Sequence, residues 1–215
     1  MLTVDISVSL DGFVAGPDPS LEDPLGRGGE QLHEWAVATE AFRSRHGMAD
    51  GAASVDSDLV EETTRRTGAT VMGRRMFSGG AGGWDDDPRA DGWWGEDPPF
   101  HHPVFVLTHH AREPLEMEGG TTFTFVTDGI EAALEQALAA AGDKDVLVAG
   151  GGSAVQQYLR AGLLDELQLH VVPVLLGDGT RLFERHVADA PAELQCTRSV
   201  ASPTGVAHLR YRVSK

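Results

Sequence analysis

The 215-residue chain has one cysteine, two tyrosines and only 17 Lys and Arg to set against 33 Asp and Glu. A single cysteine, Cys196, excludes an internal disulfide and a thiolate-based structural zinc site. It suits a reducing compartment. No apolar run approaches the roughly 20 residues needed to span a bilayer. The opening segment, Met1 to Phe13, lacks the basic start and apolar core of a secretory leader, so a cytoplasmic protein is expected. The shortage of cations leaves a net charge of −16. Such a surface excludes general binding to nucleic acid or anionic membrane, because phosphate binding needs local cation density. An anionic ligand is admissible only in a pocket with its own arginines or helix N-termini.

What is present is an ordinary globular composition, 41% hydrophobic and 23% charged. A single domain of this length buries roughly 70% of its unfolded surface. Strand and helix patterns alternate. Leu2 to Leu10 alternates apolar and polar residues and reads as a strand; residues 11–29 are dense in Gly, Pro and Asp and read as a loop. Glu30 to His46 is amphipathic, and a second helix, capped by Asp56 or Ser57, runs to about Thr67. Strands follow at Ala69 to Gly73, Val104 to Thr108 and Thr121 to Val126; Asp128 is placed to cap a helix over Ile130 to Ala141. Asp145 to Ala149 is a continuous apolar run, as a buried parallel strand requires. Three glycines lead from it into a helix over Ser153 to Ala161. A strand over Glu166 to Val174 and a hairpin, Leu194 to Ala201 with Val206 to Val213, complete the order. Eight strands with helical crossovers predict one three-layer α/β domain, with a mostly parallel sheet and an antiparallel final strand.

Three strand ends carry candidate phosphate chemistry. Gly150, Gly151 and Gly152 precede a helix whose first turn offers free N–H groups and partial positive charge. The spacing is neither a full dinucleotide fingerprint nor a P-loop. Gly73 is followed by Arg74 and Arg75, and a guanidinium suits planar recognition of phosphate. Thr108 is followed by His109, His110 and Arg112. In open α/β sheets ligands bind at the carboxyl ends of strands, so these ends together predict one extended polyanion such as a dinucleotide. Adjacent histidines, His101–His102 and His109–His110, do not have metal-ligand spacing, and no metal is expected. Residues 78–103 form a long acidic loop bearing Trp84, Trp93 and Trp94, read either as a lid or partner surface or as a segment folded back on the core.

In order, S-L-D-G, V-M-G-R-R-M-F, V-F-V-L-T, V-A-G-G-G and L-L-D-E-L-Q-L-H-V-V-P-V-L-L-G-D-G resemble the dihydrofolate reductase-like superfamily. The group most resembled is the reductase domain of riboflavin biosynthesis, the C-terminal half of the bifunctional deaminase-reductase. The resemblance covers residues 2–213 and is strongest from Asp145 to Gly179. It implies a mostly parallel eight-stranded sheet and NADPH as hydride donor. It also implies that Gly73 and Arg74 hold cofactor phosphates, with Arg75 and Met76 adding backbone N–H groups. By the same resemblance Thr108 and His109 face the adenosine 2′-phosphate. Gly150, Gly151 and Gly152 lie beside the pyrophosphate and nicotinamide, with Ser153 and Ala154 starting the helix. Val14 and Ala15 lie in the loop that closes on the nicotinamide.

For the carboxylate that anchors or protonates substrate, the resemblance leaves two candidates, Asp11 of S-L-D-G and Asp58 on the second helix, where Asp56, Glu61 and Glu62 stand close by. Asp165 and Glu166 match the family as structural residues. The chain departs from the riboflavin reductases at Ala149, where they often carry an acid, and in the long acidic loop; it also has no deaminase zinc site. The expectation is an NADPH-dependent reductase of a pterin-, pyrimidine- or flavin-like small molecule. The alternatives are a non-catalytic nucleotide- or heterocycle-binding protein, or a subunit whose tryptophan loop meets a partner. A homodimer is expected, since the family commonly pairs and a bare apolar strand over residues 166–176 would be an edge liability.

Overall fold

A computed structural model describes residues 1–80, 82–184 and 193–214. The strands are β1 (Leu2–Ser9), β2 (Phe13–Ala15), β3 (Thr67–Gly73), β4 (Pro103–Leu107), β5 (Leu115–Glu116), β6 (Thr122–Val126), β7 (Asp145–Gly150), β8 (Glu166–Val172), β9 (Thr180–Arg181), β10 (Leu194–Ala201) and β11 (Ala207–Val213). The helices are α1 (Glu34–Val37), α2 (Glu40–Arg45), α3 (Val55–Arg66), α4 (Arg74–Ser78), α5 (Gly129–Ala141) and α6 (Gly152–Arg160). The main sheet has the order β10-β11-β8-β1-β7-β3-β4-β6-β5, and β2 pairs β9 separately. The eight expected strands are all present, and the two-residue β5 adds a ninth at one edge. The strands from β8 to β6 in that order are parallel, while β11 runs antiparallel to both β8 and β10.

Period-two alternation splits the sheet into two unlike faces. Leu2, Val4 and Val8 of β1, with Leu167 and Leu169 of β8 and Val146 and Val148 of β7, enter an apolar core with Ala133 and Ala137 of α5 and Val155 and Tyr158 of α6. The opposite face of the same strands is polar. Asp5 pairs with Gln168, which pairs with Arg210; Ser7 pairs with His170, which pairs with His208. In-register pairing therefore lays a polar stripe across β1, β8 and β11, beneath α1 and α3. Further along this face, α4 and the tryptophan loop cover β3, β4 and β6, where Met72, Phe77, Val104, Val106 and Phe123 form a second core.

Several local expectations are corrected. The segment 30–46 is not one helix: Thr39 accepts a hydrogen bond from the Phe42 N–H and starts α2 as a new element. The cap of α3 is Ser54, which accepts from the Ser57 N–H, and neither Asp56 nor Ser57 plays that part. Asp128 stands at the N-cap position of α5, but its carboxylate makes no capping bond. Gly68 follows α3 because a Cβ there would come within 2.6 Å of the Ala141 carbonyl oxygen. The strand over residues 166–172 is no bare edge, since β1 and β11 cover both its sides. The edges of the sheet are β10, which is largely exposed, and the short β5.

Candidate active site

The carboxyl ends of β1, β7 and β3 bring most of the expected cofactor residues together. A Cβ on Gly73 would lie 3.7 Å from the Gly151 nitrogen and 3.9 Å from the Gly150 oxygen, so the two glycine turns face each other. A Cβ on Gly150 would meet the Met76 sulfur at 3.4 Å, and one on Gly152 would meet Val14 Cγ2 at 3.0 Å. Val14 lies on β2, whose Ala15 pairs with Thr180. The Gly150–Gly151 peptide is cis. Gly151 is exposed, with nothing within 4 Å of the place a side chain would take. Behind it, α6 begins with Gly152, Ser153 and Ala154 and has no side-chain cap. The Ala154 N–H donates to the Gly151 carbonyl at 2.9 Å, while Ser153 is exposed in the first turn.

The neighbouring cations are arranged differently from the sequence expectation. Arg74 is buried, and its guanidinium donates to Ser78 Oγ and, at 2.5 Å, to Asp87 Oδ2. It also lies 3.7 Å over the Trp84 ring. Burial pushes the Asp87 carboxyl up, but the Ser78 hydroxyl and Arg74 outweigh this and hold it below its ordinary value. Arg112 faces the other side, 4.8 Å from Trp84, and pairs with Asp91 at 3.1 Å. The acidic loop thus folds back across the strand ends and sets Asp87 and Asp91 against the arginines there. Trp84 and Trp94 pack into the core under it. The Thr108 hydroxyl accepts from the His110 N–H at 3.1 Å and closes its own turn; Arg75 and His109 are exposed.

The two candidate carboxylates do not share a site. Asp11 is committed to the chain itself: it accepts from Ser9 Oγ at 2.6 Å, Leu176 N–H at 3.2 Å and Gly177 N–H at 2.7 Å. The Ser9 hydrogen bond leads in holding its pKa down. Asp58 is exposed on the other flank of α3. It lines an open cleft of about 890 Å³ with Arg45, Glu61, His102 and Lys144. That cleft also touches Thr67 and Gly68, at the amino end of β3, opposite the glycine turns.

The groups that sequence reasoning missed line a second cavity, of about 210 Å³. The pairing of β1 with β7 stops at Val4–Val148, and the strands part there. Asp5 and Ile6 are the β1 residues left only partly buried. Ser7, His33, Trp35, Phe42, Ala149 and His170 are among its other walls. Ala149 immediately precedes Gly150, so this cavity adjoins the glycine turn. The Asp5 side chain is 21% exposed; its Oδ1 is 2.6 Å from His170 Nε2, and its Oδ2 accepts from Thr63 Oγ1 and Gln168 Nε2 at 2.5 and 2.9 Å. Burial raises the Asp5 pKa, but His170, the Thr63 hydroxyl and Arg210 prevail and leave it lowered. Burial holds His33 below its ordinary value, hence neutral near pH 7. The signal was present in L-T-V-D-I-S-V and L-Q-L-H-V-V: an acid and a histidine inside buried strands, on the polar phase of each alternation.

Comparison with known proteins adds the lineage. The family model described as the RibD C-terminal domain matches residues 1–208. The Bacillus subtilis (strain 168) protein YyaP is 24% identical over 192 residues, covering 85% of this chain and 79% of its own. A crystal structure of a Shewanella sp. PV-4 protein named for riboflavin biosynthesis matches with a TM-score of 0.63 at 20% identity, covering 100% of this chain and 99% of the other. The diaminohydroxyphosphoribosylaminopyrimidine deaminase / 5-amino-6-(5-phosphoribosylamino)uracil reductase of Thermotoga maritima matches with a TM-score of 0.58 at 14% identity, where the chain spans all of itself and 56% of that longer protein. At these identities the two structures establish the dihydrofolate reductase-like fold.

Proposed function

The chain belongs to the RibD C-terminal domain family, and from that premise we propose that it is an NADPH-dependent reductase of a small, flat heterocycle of the pyrimidine or pterin kind. The observation that carries this reading is one of placement. The open glycine cradle of Gly73 and Gly150–Gly152 lies beside a small cavity lined by a carboxylate, and Ala149 is followed directly by the first of those glycines. The residues suit the cofactor. Gly151 leaves room for close approach, and the exposed start of α6 at Ser153, with Ala154 completing its first turn, presents the helix's positive end to a phosphate. Val14, Ala15 and Met76 border the cradle; Arg75, Thr108 and His109 line the flank assigned to the adenosine end. Arg74 contributes through its backbone, since its side chain is held by Asp87. When bound, a reduced nicotinamide supplies hydride to a C=N or C=O group.

The chain's own part is to bind, orient and exclude water. A cavity of about 210 Å³ is smaller than the roughly 300–1,000 Å³ typical of drug-sized ligands, which favours a small ring over an extended substrate. Trp35 and Phe42 offer it apolar walls, and Asp5 offers an acceptor for a ring or exocyclic N–H. Asp5 thus takes the anchoring place for which Asp11 and Asp58 were candidates. Small-molecule turnover within a homodimer is part of the same proposal. The test is a titration with NADPH and, separately, NADH, read by quenching of the tryptophans, followed by a turnover screen over substituted pyrimidinones. Tight, NADPH-preferring binding is expected. No binding of either nucleotide would overturn the reading.

A further inference from the structure

Asp5 is the pocket end of a buried chain of titratable groups that crosses the polar face. Its Oδ1 lies 2.6 Å from His170 Nε2; His170 Nδ1 lies 2.6 Å from His208 Nδ1; His208 Nε2 lies 2.8 Å from Asp56 Oδ1. The side chains of His170, His208 and Asp56 are each 2% exposed. Asp56 Oδ2 in turn accepts from Ser202 Oγ at 2.8 Å and from Thr204 Oγ1 at 3.1 Å, in the β10–β11 turn, where Thr204 is exposed. The chain therefore runs from the cavity to the surface.

Hydrogen-bond accounting fixes how many protons it holds. Each of the three contacts joins two groups that accept when deprotonated, so each contact needs one proton. Two neutral imidazoles bear one proton each, and ionised carboxylates bear none. The chain thus holds one proton more than its neutral histidines and ionised acids would carry. At the two Nδ1 atoms, which face each other, only one side can donate. The extra proton can sit at either end by small shifts along bonds already formed, without ring rotation. Other charges near it are His33, which faces His170, Arg210, which acts on Asp5, and Glu62, which takes up Arg210 at 2.6 Å. Trp35 of α1 covers the two rings, tilted at 4.4 Å from His170 and edge-on at 5.0 Å from His208.

We propose that Asp56, His208, His170 and Asp5 form a proton relay that loads Asp5 from the Ser202–Thr204 surface turn and lets Asp5 protonate the substrate nitrogen in the cavity. This rests on the reductase reading. In the step, the Asp5 O–H bond breaks and a substrate N–H bond forms, while hydride from a reduced nicotinamide dinucleotide reduces the carbon of the C=N group. Delivery leaves two protons, one on His170 Nδ1 and one on His208 Nε2; the chain recovers its third when both rings turn over, so that each again donates towards Asp5, and Asp56, protonated from water at Thr204, donates to His208. Asp5 is the proton donor; His170, His208 and Asp56 position and resupply it.

The first test needs neither cofactor nor substrate. Long-range ¹H–¹⁵N spectra of the histidine rings in the whole protein near neutral pH are expected to show both Nε2 atoms protonated and the two Nδ1 atoms sharing one proton, with a strongly downfield resonance. In His208→Gln that resonance is lost. Two imidazoles with independent, ordinary nitrogen shifts in the wild type would overturn the relay, whatever the outcome of the nucleotide titration. Conversely, failure of NADPH to quench tryptophan fluorescence would sink the reductase reading while leaving the shared proton visible. With a substrate from the pyrimidinone screen, Asp5→Asn is expected to lose about 10²-fold or more in kcat, the range of a general acid. His208→Gln is expected to lose about tenfold and to change the pH profile, with NADPH affinity unchanged in both. Turnover of Asp5→Asn within twofold of the wild type would overturn the assignment.

Discussion

Replacing Asp87 by asparagine removes one charge from the buried pair that holds the acidic loop over the strand ends. The side chains of Arg74 and Asp87 are 8% and 3% exposed, and Asp87 accepts from Arg74, Ser78 and the Arg89 N–H. Breaking a buried pair by removing one partner costs about 3–5 kcal/mol. Asparagine keeps the shape and can still accept from Arg89, and Arg74 keeps Trp84 beneath it, a contact worth about 2 kcal/mol when desolvated. The expected loss is therefore near the lower end, about 3 kcal/mol. With a urea slope of about 1–3 kcal/mol per molar, the denaturation midpoint falls by roughly 1–3 M. Ligand affinity should move the opposite way. A guanidinium released from Asp87 is available to a phosphate, and a hydrogen bond to a charged group contributes about 1.5–3 kcal/mol, or roughly 10- to 100-fold in NADPH affinity. Urea denaturation and fluorescence titration on the same sample read both quantities. A stability loss under about 1 kcal/mol would refute the burial argument. Unchanged or weaker NADPH binding would refute the view that the loop competes for Arg74.

Three further outcomes follow from other parts of the site. Ser153→Glu puts a carboxylate in the first turn of α6, where it should add about 0.3–1 kcal/mol of stability while repelling a bound phosphate, so thermal midpoint rises as NADPH affinity falls several-fold; a rise in both would place the phosphate elsewhere. Asp11→Ala leaves the Leu176 and Gly177 N–H groups without their acceptor; amide exchange at those two positions should quicken, and an unchanged rate would show that the latch is idle. His102 is pushed down to about 4, chiefly by burial and then by Arg45, Lys144 and His101. Below pH 6.5 the unfolded chain binds a proton that the folded chain refuses until about pH 4, so stability must fall across that window as pH drops. The full difference, about 2.5 pH units at 1.36 kcal/mol each, is an upper bound that partial exposure reduces by about half, to about 1–2 kcal/mol. His102→Gln should flatten that part of the stability curve measured in urea between pH 7 and 4.

Sequence by itself determined the eight main strands and their order. Alternation in L-T-V-D-I-S-V and T-T-F-T-F-V, the continuous apolar run before three glycines and the Ser-Pro-Thr-Gly turn are local patterns, and each formed where the pattern placed it. The glycine cradle was legible for the same reason: Gly73, Gly150, Gly151 and Gly152 act through backbone that no side chain could leave open. Side-chain partners were not legible. Arg74 and Asp87 are thirteen positions apart in the chain, and only the folding back of the loop makes them a pair. Asp5, His170, His208 and Asp56 come from four elements, and they meet because parallel and antiparallel registers bring β1, β8 and β11 into phase beneath α3. A polar residue inside a buried strand signals that it must find a partner, since burial without one is costly. Which partner it finds, and whether the pair faces a cavity, depends on register and on where β1 and β7 separate, and that is decided only when the whole sheet has closed.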